Sequence, residues 1–321
     1  SVCVCVCVLC FIAMVATTLS CANYAMTLPE AAALSHDTTE PEPMYLVNLW
    51  KMMLDQSLKT KERSALEAEY FSRYTKWKTF QARLAAAIAT VGESELWHSL
   101  CKAIHDHWFD GEGGPLEKVE EVVCLCLGHL ESNATVYQLS LLLLLLERLN
   151  IHHERCFIFD PCHSPQEVDI LKHLGFTVLQ ENADARIRVR HMTLFYMPHG
   201  DYHLTNNLIS ANCHSLHLIA VLGNNFAWTC DSEAECIDIK NSKSRAPFVQ
   251  KVLGLVKETE IRDTLASKLR LQLASLAPRA CQALGNGLCD FLDCALTTFP
   301  PKSVWADIKK ASETSCHASK L

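Results

Sequence analysis

No long block of lysine or arginine occurs in the 321 residues, and the net charge is −7. A nucleic-acid groove or an anionic membrane surface is therefore without its electrostatic footprint. No G-x-G-x-x-G opens a helix, so the glycine cradle of a dinucleotide site is missing. H-E-x-x-H and G-x-S-x-G are absent, and C-x-x-C does not occur beyond the first ten residues. The zinc-protease and serine-hydrolase signatures are thereby excluded, and no paired-cysteine zinc site is expected. The longest cysteine-rich apolar run, SVCVCVCVLCFIAMV at the start, is too short to span a bilayer and has no basic leading segment.

What is present is an apolar chain. Apolar residues make up 49% of it, enough for a sizeable core. The 17 cysteines are odd in number and scattered, and Cys124, Cys126 and Cys156 sit inside strand-like runs. They read as reduced, buried residues, which implies a cytosolic or nuclear compartment. Alternating Val-Cys is what a GTGTGT repeat encodes, so the expected start is Met14, Met26 or Met44. The final Ser319-Lys320-Leu321 matches a peroxisomal address, an alternative to the cytoplasm and nucleus.

Four stretches follow from composition. Residues 1–43 are leader and linker, the latter rich in Pro, Thr and acid. Residues 44–110 are helical, with apolar residues at three- and four-residue spacing. Residues 118–300 alternate strand and helix, and 301–321 form a tail. Continuous apolar strands are expected at 119–128, 156–160, 176–180, 193–197 and 216–223, with helices at 135–150, 164–175 and 204–211. The fold class is α/β: a Rossmann-like parallel sheet of about five strands with helices on both faces. The helix at 135–150 holds six consecutive leucines, Leu141 to Leu146, and should be buried on all sides. A charged helix is expected from 248 to 276, and an edge strand within 289–301.

In such a sheet, ligands bind outside the carboxyl ends of the strands. Those ends bring forward Gly128 and His129, Asp160, His199, and Asn224. Asp160 stands where a ribose-binding acid belongs, and a turn residue before Pro161 is an equal reading. Histidines are plentiful, yet no spacing makes them a metal site. Asn206, Asn207 and Asn212 exceed what helix capping requires, if the first two stand near a helix start. They either bind a ligand or tie loops together.

CLCLG, QLSLLLLLLERL, FDP, LGFTVL, TLFYMPH, NNLISAN and LGNNF, in register from about Val123 to Phe226, resemble the Sensitivity to Red Light Reduced (SRR)-like domain family. FLDCALTTFP is a fainter echo. The resemblance implies a Rossmann-like regulatory protein, cytoplasmic and nuclear. It implies association with circadian clock gene expression, plant light signalling, regulation of haem biosynthesis and, in fungi, microtubule stability. It brings no reaction and no cofactor. It carries over positions only: Gly128, Asp160, Pro161, His199, Asn206, Asn207, Asn212, Gly223, Asn224 and Phe226. The chain departs from the family's tendency to place Gly at Cys126, Tyr at Thr205 and Ser at Asn225.

Three functions stay in view. The first is a regulatory protein with an unidentified protein partner or small ligand. The second is a transferase using a nucleotide cofactor against Asp160 and the Gly128 turn, with His199 as acid/base. The third is an interaction module built on the charged helices at 60–90 and 251–275.

Overall fold

A computed structural model describes residues 42–55, 57–108, 119–198, 200–226, 247–261 and 294–300. The leader, the linker up to residue 41, His199 and the tail at 301–321 lie outside the described residues. Three helices come first: α1 (Met44–Met53), α2 (Thr60–Gly92) and α3 (Glu95–Trp108). Then β1 (Glu121–Leu125), α4 (Asn133–Leu149), β2 (Cys156–Phe159), α5 (Pro165–His173), β3 (Thr177–Val178) and β4 (Thr193–Met197) alternate. The chain continues through α6 (Tyr202–Ala211), β5 (Ile219–Asn224), α7 (Pro247–Val252), β6 (Lys257–Glu260) and β7 (Cys294–Thr298).

The described strands form one seven-stranded sheet in the order β3-β2-β1-β4-β5-β7-β6. The first five are parallel neighbours, as continuous apolar strands joined by helices require. The order reverses between β1 and β4, which defines the ligand-binding edge of a doubly wound sheet. β7 runs antiparallel to both β5 and β6.

Two expectations for the C-terminal part are corrected. Within its described part, the helix expected over 248–276 stops at Val252, and Leu253-Gly254-Leu255 turns the chain into strand β6; positions 262–276 lie outside the described residues. Its Lys-Glu-Thr-Glu text reads as a charged helix face, but it is a charged edge strand, which resists pairing with other chains. The strand expected at an edge, β7, is instead internal and buried along its whole length. The sheet therefore has seven described strands, two more than the parallel set.

Each face of the sheet carries its own core. On one face Val123, Leu125, Phe195, Met197 and Val221 pack beneath α6 and α7. On the other, Val122, Cys124, Ile158, Leu194, Tyr196 and Leu222 pack against α4. α4 is apolar over most of its circumference, with Leu143 and Leu144 half-buried, so one covered side is not enough. Its outer side meets α2, and Trp77, Phe80, Leu84 and Val91 join the same cluster as the leucines. Each fully buried leucine contributes about 2 kcal/mol, so exposing that outer side would be expensive. The Tyr196 hydroxyl adds a polar tie, donating to the Gln138 carbonyl at 2.9 Å inside this core. α4 ends on Asn150 in the left-handed region (φ 55°), which an asparagine tolerates.

The helical N-terminal stretch is also pinned at its far end. His107, buried at the end of α3, stands 2.8 Å from the Thr298 hydroxyl (Nδ1) and 2.9 Å from the Thr259 hydroxyl (Nε2). One imidazole thus joins α3 to β7 and β6. His107→Ala leaves the buried Thr298 hydroxyl and the half-buried Thr259 hydroxyl without this partner and opens a cavity, so about 2–3 kcal/mol of stability should be lost. Urea denaturation would register it as a lower midpoint at constant slope; an unchanged midpoint would show that the bridge does not hold the helices to the sheet.

Candidate functional site

The β1 turn is built around two carboxylates. After Leu125 the chain passes through Cys126 and Gly128, both at positive φ (62° and 85°). A side chain on Gly128 would stand 2.9 Å from the Thr135 hydroxyl, so both space and conformation demand glycine there. The Gly128 N–H donates to Asp160 Oδ2 at 2.9 Å, and Asp160 Oδ1 accepts the Cys162 N–H at 3.0 Å. Two residues on, the Leu130 N–H donates to Glu167 Oε1 at 2.6 Å. Glu167 Oε2 accepts from the Ser164 N–H and hydroxyl, closing the capping box of α5.

These contacts set the acidities. Burial would raise the Asp160 carboxyl, but hydrogen bonds from Cys162 and Gly128 outweigh it and hold it below the usual range. Glu167 is lowered in the same way, with burial opposed by Ser164, Leu130 and His129. The nearby thiols move the other way. Burial, with Asp160 and Asp201 close by, pushes Cys126 up to about 12. Cys162 is also raised to about 12, by burial and by its bond to Asp160. Neither is a thiolate nucleophile near neutral pH.

Beside this turn, at the carboxyl edge of β1 to β4, lies a cavity of about 300 Å³. Leu125, Phe159, Leu179, Ile187 and Leu204 give it an apolar lining. Glu181, Asp184, Asp201 and His203 add polar groups. A larger cleft of about 590 Å³ lies elsewhere, between α2 and the starts of α4 and α5, lined by Arg73, Lys76, Trp77, Arg83 and Glu167. Its position is off the switch point, and its cations are already engaged. Arg73 pairs with Glu69, Lys76 with Glu131 at 3.6 Å, and Arg83 bonds the Glu131 carbonyl and Asn133.

The residues singled out from sequence are distributed among these features. Gly128 and Asp160 meet each other. His129 lines the larger cleft, where its Nδ1 lies 3.4 Å from Glu167. His199 lies outside the described residues. Asn206 and Asn207 are not at a helix start: Asp201 caps α6, accepting the Leu204 N–H at 2.9 Å. Asn206 instead accepts the Phe248 N–H at 2.9 Å, in the first turn of α7. Asn224 donates to the Gly200 carbonyl at 2.9 Å, and Gly223 allows the Met197 carbonyl to pass close by.

Asn207 and Asn212 hold the loop between β3 and β4. Asn207 donates to the Asp184 carbonyl at 3.0 Å and accepts from Arg186 at 3.1 Å. Asn212 donates to the Ile187 carbonyl at 2.7 Å and accepts the Val189 N–H at 2.9 Å. Asp184 and Ala185 both have positive φ (46° and 60°), a strained pair that these bonds keep in place. Since Asp184, Ala185 and Ile187 wall the cavity, both amides are positioning residues, one step removed from it. The wall itself, Leu179 to Ile187, was missed by reading motifs. Its signal was the acidic, non-periodic text QENADA directly after a strand. Among the described residues no group of three or more His, Cys, Asp or Glu could hold a metal, and no helix is long and apolar enough to cross a membrane.

Comparison with known proteins gives a coherent result. The family model described as the SRR1 domain matches residues 100–317. An SRR1-like protein from Mus musculus is 39% identical over 108 residues, covering 32% of this chain and 43% of the mouse protein. The Arabidopsis thaliana protein SENSITIVITY TO RED LIGHT REDUCED 1 is 35% identical over 109 residues, covering 33% of this chain and 40% of its own length. The match thus spans well under half of either relative. No solved structure matches the chain.

The turn generates two expectations. A non-glycine residue in the left-handed region costs about 1–2 kcal/mol. Cys126→Gly should therefore raise stability by up to about 1 kcal/mol once the greater freedom of the unfolded glycine is subtracted. A lowered melting temperature would refute the strain. Asp160 and Glu167 have carboxyls depressed on folding, so their stabilisation is present above the unfolded values of about 4 and fades as pH falls through the folded ones. Unfolding free energy measured between pH 6 and pH 2 should drop in that window, and the drop should shrink in Asp160→Asn. An identical profile in the variant would count against Asp160.

Proposed function

The chain belongs to the SRR1 domain family, and from that premise we propose that it is a regulatory protein rather than an enzyme. Its field of action is the one the family resemblance implies, clock gene expression and the regulation of haem biosynthesis, in the cytoplasm and nucleus. One observation carries the preference. Among the described residues, the carboxylates and thiols around the β1 turn that could perform chemistry are already used to build it. Asp160 spends both oxygens on backbone N–H groups, Glu167 closes a capping box, and Cys126 and Cys162 are held as thiols. A reaction that used any of these four would have to withdraw it from the turn that it builds. What is left beside the turn is a shaped, largely apolar cavity, which suits recognition of a small ligand coupled to a partner surface.

The test is rescue. In cells lacking the mouse relative, this chain should restore rhythmic clock-gene transcripts and normal haem output. Leu204→Trp, which fills the cavity, should fold with an unchanged circular dichroism spectrum and fail to rescue. Full rescue by the filled variant would remove the cavity from the function, and no rescue by the wild-type chain would defeat the regulatory reading.

A further inference from the structure

The segment Arg186-Ile187-Arg188-Val189-Arg190, between β3 and β4, has one open backbone edge. Its burial alternates with its text. The three arginines are exposed, while Ile187 and Val189 are half-buried and join the apolar cluster beneath α6. A period of two belongs to an extended chain. The Asn212 carboxamide fixes that shape, accepting the Val189 N–H at 2.9 Å and donating to the Ile187 carbonyl at 2.7 Å. One residue of a neighbouring parallel strand would make the same two bonds. In an extended chain, successive residues aim their backbone groups to opposite sides. With Ile187 and Val189 turned towards α6, the Arg188 N–H and carbonyl point away from it. Neither has a hydrogen-bond partner among the described residues.

An open edge accepts another strand, and its side chains decide which one. The arginines recur on one face at intervals of about 7 Å, twice the rise of an extended residue. Arg186 is engaged by Asp184 at 3.4 Å and Asn207 at 3.1 Å. Arg188 and Arg190 make no ion pair among the described residues, where the other arginines have partners. The edge strand β6 differs, because it mixes Lys257 with Glu258 and Glu260 and so favours neither sign. On Arg186–Arg190 the charge has one sign. A second copy of this edge would set like charges opposite each other, which is destabilising. A strand with a carboxylate at every second position would set one against each guanidinium, whose fork takes it through two hydrogen bonds. A nucleic-acid strand would match the charge but brings no backbone N–H and carbonyl in register for Arg188.

We propose that Arg186–Arg190 is a docking edge for an extended acidic peptide of a partner protein. The peptide adds as a strand through the Arg188 backbone and sets alternate Asp or Glu side chains against Arg188 and Arg190. This surface goes beyond the regulatory reading and does not require the cavity to hold a ligand.

Fluorescence anisotropy of the full chain tests it with labelled decapeptides of Glu and Thr, one alternating and one with the same residues in two blocks, and with a single-stranded oligonucleotide of equal charge. The alternating peptide should bind most tightly. Arg190→Gln and Arg188→Gln should each weaken it by about fivefold, the worth of one exposed ion pair. Arg188→Pro removes the outward N–H as well and keeps an extended φ, so it should weaken binding by about a further fivefold, the worth of one hydrogen bond. Melting temperatures of these variants should stay near that of the wild type. An alternating peptide N-methylated throughout keeps its charges and loses its donors, and it should fail on the wild-type chain. Equal affinity for the alternating and blocked peptides, or binding that survives N-methylation, would reduce the edge to charge attraction and overturn the proposal. Preference for the oligonucleotide, or silence of the full chain with every probe, would overturn it too. The regulatory reading is untouched by any of these results, since it falls only if the wild-type chain fails to rescue.

Discussion

The requirement that α4 be covered on more than one side organises much of this molecule. Six leucines in succession put apolar side chains on every side of nearly two turns of helix. A sheet can cover only one side. The second cover is α2, whose Trp77, Phe80, Leu84 and Val91 share one core cluster with the leucines. α2 precedes residue 100, where the family match begins, so the covering helix comes from outside the matched region. The N-terminal helices are thus part of the same core as the sheet. His107 closes the arrangement by fixing the end of α3 to two strands that come more than 150 residues later in the chain.

A second constraint acts at the sheet edge. The β1 strand must leave the core sharply enough for α4 to fall back across it. The turn that achieves this uses two left-handed residues and exposes N–H groups that need acceptors. Asp160 and Glu167 supply them from the neighbouring β2 and α5 segments. The acid that position alone would assign to a ribose therefore serves first as a strut. Its acidity follows from that service, because backbone donors stabilise its charged form more than burial disfavours it.

Much of the architecture was legible in the sequence, and the exceptions share a cause. Strands buried on both faces write themselves as unbroken apolar text, so β4 at Thr193–Met197 and the start of β2 at Cys156 are readable to the residue. Ser164-Pro165 with Glu167 announces α5 through local capping chemistry. β6 and the internal place of β7 were not legible. Lys-Glu-Thr-Glu has strand character only because β7 lies beside it, and that pairing spans more than thirty residues. His129 was placed with Asp160 because both end strands, yet the turn at Gly128 sends it to the cleft beneath α2.

The amides show how a correct signal can carry a displaced meaning. Asn206, Asn207 and Asn212 are more numerous than capping of their own helix requires, and each does bind something: backbone on another segment. A carboxamide suits this work because it offers a donor and an acceptor at once, matching a loop that presents a carbonyl and an N–H in succession. Asn212 uses both against Ile187 and Val189, and Asn207 uses both against Asp184 and Arg186. The loop they hold is the cavity wall, and it contains two residues whose backbone would relax without restraint. The shape of the cavity therefore depends on side chains that do not line it. Residues of this kind resemble ligand contacts in sequence, because positioning a wall and touching a ligand call for the same polar groups in the same neighbourhood.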